Sequence, residues 1–125
     1  MFRNLSADGL GISGQQSELI ELALSFGFQG IELDMSEFIE EVETYGLPHA
    51  RRMLDSARIR VGQFLLPIRW DEWEEDEAKF KDELEKMGKI GELAASLGCA
   101  HCLTTVRPAS DERPYHENFE FHRGR

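Results

Sequence analysis

Residues 22–34 read LALSFGFQGIELD, and the order of features within them decides the fold. An amphipathic run ends at Phe26. Gly27 follows where a helix closes in the left-handed conformation, and GIELD, residues 30–34, has the composition of a short strand. The same unit returns at residues 93–106, LAASLGCAHCLTTV, with Gly98 in the place of Gly27 and HCLTTV in the place of GIELD. A helix, a glycine and a strand, used twice, is the grammar of a parallel sheet with helical crossovers.

The rest of the chain extends the pattern outward. FRNLS, residues 2–6, reads as a first strand. Ser13 followed by Gln16 fits a capping box, after which Leu19, Ile20, Leu22, Ala23 and Phe26 share one helical face. MSEFIEEVETYG, residues 35–46, reads as a helix closed by Gly46. LPHARRMLDSA, residues 47–57, reads as another, with Pro48 in its first turn. IRVGQFLLP, residues 59–67, is a third, apolar strand. Residues 71–98 hold the longest helix, with Phe80, Leu84, Met87, Ile90, Ala94 and Leu97 at 3–4 spacing and an acidic first turn suited to the helix dipole. RPASDER then leads to a last helix opened by Pro114, on which Tyr115, Phe119 and His122 share a face. The order is β-α-β-α-β-α-β-(α): α/β, with four parallel strands and helical crossovers, over residues 1–125 as one unit.

Composition narrows the function. The 125 residues carry 41% hydrophobic and 30% charged side chains, which fits a folded chain with a single core. The net charge of −10 comes from 24 acidic residues against 14 basic ones. Neither nucleic acid nor an anionic membrane is expected as a partner, because both demand a surplus of Lys and Arg. MFRNLSADG lacks the apolar run of a secretory signal, and two cysteines fit a reducing cytoplasm, so cytoplasmic localisation is expected.

ELIELALSFGFQGIELDM, residues 18–35, resembles the first helix and second strand of the xylose-isomerase-like TIM barrels, the sugar phosphate isomerase/epimerase superfamily. Ala23, Gly27, Phe28, Gly30, Ile31 and Glu32 match that family's A-x-x-x-G-[FY]-x-G-[IV]-E pattern. LAASLGCAHCLTTVRP is similar to the junction of its third helix region with strand four, and PYHENFEFHRGR to its fourth helix. The resemblance implies the first half of a (β/α)8 barrel, since a whole barrel needs roughly 250 residues. It also implies a metal-dependent sugar isomerase or epimerase (Mn, Mg, Zn or Co) whose ligands lie mostly on strands five to eight. No metal ligand and no catalytic residue is therefore assigned within this chain, and no cofactor is expected in it. Under that reading the terminus falls at mid-barrel, and the chain by itself is expected to be inactive.

In such a barrel the chemistry sits at the C-terminal ends of strands. Ser6 and Asp8 are candidates after strand one, and Glu32 and Asp34 on strand two. Pro67, Arg69 and Trp70 follow strand three, and Thr105 and Arg107 end strand four. Glu32 and Asp34 stand two apart and so share a strand face, opposite Ile31 and Leu33. They read either as the rim of a sugar pocket or as structural carboxylates, with Asp34 and Glu37 forming a capping box. Arg69 with Trp70 either offers a forked guanidinium and a stacking ring for an anionic or small sugar-like molecule, or is a surface Arg beside a loop-anchoring aromatic, which is the favoured reading; Thr105 and Arg107 hold the right position without specific identity. CAHC, residues 99–102, enters a strand rather than opening a helix, so it reads as small buried strand residues rather than as a redox or zinc pair. His49, His101, His116 and His122 read as surface or packing residues. DGLGISG lacks the Lys-Ser/Thr ending of a phosphate loop.

Two other readings stand beside the barrel. One is a non-catalytic binding or assembly module, a half barrel that forms a homodimer through its open sheet edges. The other is a small doubly wound domain of flavodoxin or receiver type.

Overall fold

The computed structural model describes residues 1–68 and 77–125. In chain order it has β1 (Asn4–Leu5), a 3-10 turn (Asp8–Leu10), α1 (Gln16–Ser25), β2 (Gly30–Leu33), α2 (Met35–Tyr45), α3 (Leu47–Ala57), β3 (Arg60–Leu65), α4 (Glu77–Ser96), β4 (Cys102–Leu103) and α5 (Tyr115–Gly124). The alternation read from the sequence is the alternation observed. Gly27 and Gly98 close α1 and α4 at φ +71° and +67°, the left-handed region that favours glycine.

The sheet order separates two architectures that share this alternation. All four strands are parallel and stand in chain order, β1-β2-β3-β4. A flavodoxin-type doubly wound sheet reverses direction and puts its first strand between the second and third. Here β2 pairs with both β1 and β3, so the doubly wound alternative is overturned. Right-handed crossovers that all step the same way place their helices on one face of the sheet, and α1 accordingly meets α3.

That face carries the core. Leu5, Ile31, Leu33, Val61 and Phe64 pack with Ile20 and Ala23 of α1, Phe38 of α2, Ala50 and Leu54 of α3, and Ile90 and Ala94 of α4. Strand alternation puts Asn4, Ser6, Gly30 and Glu32 on the opposite face. The side chain of Asn4 lies across Gly30 and Gly62, where any Cβ would strike its carboxamide. A bulge adjusts β3: Ile31 faces Val61, but Glu32 faces Gln63, leaving Gly62 as the extra residue. Val61 and Phe64 therefore both reach the core although three apart, and Gln63 turns to the helix-free face beside Glu32.

Several local expectations are corrected. The cap of α1 is not Ser13 with Gln16. Gln15 occupies the N-cap, its N–H donates to Glu18 Oε2 at 2.9 Å, and Gln16 is buried in the first turn. The α1 stripe buries Ile20 and Ala23, while Phe26 is 69% exposed because the chain turns away at Gly27. On α4, Ile90 and Ala94 are buried but Leu84 and Met87 stay exposed, because the sheet reaches only the C-terminal part of a 20-residue helix. On α5, Tyr115 is 82% exposed and stacks on Phe119 rather than on the sheet.

The polar Asn118 holds α5 instead. Its amide donates to the carbonyls of Ser110 and Arg113 at 2.9 and 3.1 Å, and its oxygen accepts from Ser110 N–H at 3.0 Å. The other end of α5 is tied by Arg125. Its guanidinium lies 3.9 Å from the Phe80 ring centre and 3.1 Å from a Glu77 oxygen.

Candidate functional site

The C-terminal ends of β1, β2 and β3 open onto a cleft of about 410 Å³. The β1–α1 connection forms one wall through Asp8, Ile12, Ser13 and Gln16. Residues 31–37 form the floor, and Leu65, Leu66 and Pro67 close the far side. Strand ends gather here because every strand runs the same way and each must turn into its crossover at this rim.

Glu32 is the best-held carboxylate of the rim. Ser6 Oγ donates to its Oε2 at 3.0 Å and Gln63 Nε2 donates to the same oxygen at 2.5 Å. One donor comes from the residue just after β1 and one from β3, so both flanking strands converge on one part-buried carboxylate. The bulge makes the Gln63 contact possible. Its sequence signal was the Gly-Gln pair inside an otherwise apolar strand, a break in alternation that marks a bulge.

Asp34 shows the structural of its two readings. It is the N-cap of α2, and its Oδ1 accepts from the N–H groups of Ser36 and Glu37 at 2.9 and 3.1 Å. Glu37 sits beside it at the cleft, and burial, then the charge of Asp34, pushes its carboxyl above the ordinary value.

Thr105 and Arg107 do not join the group. Both are exposed beyond the end of β4, outside the cleft, and the Arg107 carbonyl oxygen accepts from His122 Nε2 at 2.7 Å. Arg69 and Trp70 lie outside the described residues. Sequence reading missed Gln63, and it misplaced Gln16 as a cap. Of the CAHC pair, Cys99 is buried and Cys102 exposed, and both are free thiols. Burial, with Cys99 adding to it, raises the Cys102 thiol above its ordinary value, the opposite of an activated thiolate.

Among the described residues, no three His, Cys, Asp or Glu side chains converge in a group that could hold a metal ion. Glu32 Oε2 accepts from two side-chain donors and Asp34 Oδ1 from two backbone ones. The described residues thus offer no set of metal ligands, and the sequence resemblance places its ligands mostly on strands five to eight. No helix among these residues is long and apolar enough to cross a membrane.

No protein-family model and no curated protein matches the chain. Solved structures do. A xylose isomerase domain protein from Alicyclobacillus acidocaldarius matches at TM-score 0.76 and 20% identity, over 94% of this chain and 40% of its own. The fold is that of half a TIM barrel. The half barrel also matches the probable 3-DHS dehydratase AsbF of Bacillus anthracis, at TM-score 0.64 and 18% identity over 45% of that chain. The 3-keto-D-glucoside 4-epimerase YcjR of E. coli matches at TM-score 0.58 and 15% identity over 47% of its length. The half barrel spans under half the length of each of these structures. An isomerase domain, a dehydratase and an epimerase on one fold show that the fold does not choose the reaction.

Proposed function

We propose that this chain supplies the β1–β4 side of a sugar isomerase- or epimerase-like barrel. In this reading the cleft at its strand ends contacts a small sugar-like molecule. The observation that carries the reading is Glu32, a carboxylate fixed by Ser6 and Gln63 at the strand-end rim of a fold shared with a sugar epimerase. A carboxylate oriented by two neutral donors keeps lone pairs for a substrate hydroxyl without moving. The metal and the proton-transfer base are assigned to no described residue, and no step is derived through them. The half barrel alone should bind without turnover.

The test is a titration of the purified chain with D-fructose and other ketoses, followed by amide NMR at Ser6, Glu32 and Gln63, beside an isomerase assay with Mn²⁺ or Mg²⁺. Shifts at those three amides without turnover are expected. Unmoved Glu32 resonances, or clear turnover by the chain alone, would contradict the proposal.

A second reading has two copies pairing through their sheet edges. Leu65 and Leu103 favour it: they stand side by side on β3 and the edge strand β4, each 41% exposed. The charge of −10 on each copy opposes it. Light scattering that finds a monomer at micromolar concentration would count against this reading.

A further inference from the structure

The side chain that the Glu32 network leaves unexplained is Gln16. It is only 5% exposed, it forms part of the cleft wall, and neither its carboxamide oxygen nor its nitrogen has a hydrogen-bond partner among the described residues. A buried amide without partners is costly, and each such group asks for an explanation. A carboxamide both donates and accepts, as a hydroxyl does, so the two are matched.

The second observation concerns charge. Asp8, Glu32, Asp34 and Glu37 line the cleft, and no Lys, Arg or His does so among the described residues. Two helices begin beside it, α1 and α2, and helix N-termini ordinarily attract phosphate through free N–H groups and the dipole. Here the chain's own carboxylates take some of those donors. Glu18 accepts from Gln15 N–H, and Asp34 accepts from Ser36 and Glu37 N–H. Each helix start thus already holds a carboxylate of the chain's own. Glu37 stands beside Asp34 there, and burial first, then the charge of Asp34, raises its carboxyl above the ordinary value.

We propose that this cleft takes an uncharged polyhydroxylated molecule and rejects its phosphate ester, with Gln16 as the residue that recognises a ligand hydroxyl. The inference rests on the sugar-binding reading above and adds the substrate class. It makes Gln16 a binding residue whose burial is a liability until ligand arrives.

Three samples test it by NMR on the purified chain: wild type with xylitol or D-fructose, wild type with D-fructose 6-phosphate, and Gln16→Leu with the neutral ligands. The Gln16 side-chain amide should shift with the neutral ligands and at least tenfold less with the phosphate at equal concentration. Gln16→Leu should abolish the neutral-ligand shifts yet raise the Tm, because it removes an unpaired buried amide. A fall in Tm would mean that the amide is paired in the free protein, and would overturn the proposal. Equal or stronger binding of the phosphate would also overturn it. Shifts at Glu32 that bypass Gln16 would defeat this inference and leave the sugar-binding reading intact. No shift at either residue would defeat both.

Discussion

Strands β2 and β4 follow the same local grammar, a helix closed by a left-handed glycine and then a short apolar run, yet they end in opposite environments. Ile31 and Leu33 of β2 are almost wholly buried between two neighbouring strands and the helix layer. Leu103 of β4 has a strand on one side only and stays 41% exposed. The glycine sets where the helix stops, whereas strand burial is set by how many neighbours the strand acquires. The β1–β3 region with α1, α2 and α3 is therefore the stable part. The β4–α5 region rests on a two-residue strand, the polar clamp of Asn118 and the stacking of Arg125 on Phe80.

The sharpest way to break this comparison is Phe38→Ala. Phe38 is fully buried under the sheet, and its loss should cost about 3–5 kcal/mol in urea unfolding. The matching truncation Leu103→Ala, at the exposed edge, should cost under about 1 kcal/mol. Similar costs at both positions would erase the distinction. Next in size is Asp34→Ala. It removes the side-chain cap of α2 and should cost about 1 kcal/mol, read from the same unfolding midpoint.

The smallest effect concerns pH. The Glu37 carboxyl is raised above 4.5 by burial and then by Asp34, so its charged form is the disfavoured one in the folded chain. The penalty is fully present above the folded pKa and is relieved as pH falls through that value toward 4.5. Glu37→Gln should therefore stabilise the chain at about pH 7 more than at about pH 5. A stability difference from wild type that does not change with pH would count against this placement of Glu37.

Much of the fold was legible in the sequence because glycines and caps act locally. Gly27, Gly46 and Gly98 end helices where their spacing said they would, and Asp34 caps where Glu37 follows it at the expected distance. What was not legible depends on distant partners. The first-turn position of Gln16 hides whether its amide meets water or the underside of a loop. The Gly-Gln pair marks a bulge near Gly62, but that it sets Gln63 beside Glu32 appears only when β2 lies alongside. The apolar stripe of α4 reads as continuous, but only its Ile90–Ala94 portion meets the core. The same limit applies to the rim: Ser6 and Gln63 lie 57 residues apart, the difference of their numbers, and converge on one oxygen of Glu32.

The central claim is the strand order, since it makes the fold that of half a barrel and leaves one sheet face free of helices among the described residues. Backbone cross-strand NOEs test it most directly. The order β1-β2-β3-β4 requires backbone contacts between Leu5 and Ile31, between Ile31 and Val61, and between Phe64 and Cys102. Backbone NOEs joining β1 directly to β3, with none between Ile31 and Val61, would contradict it.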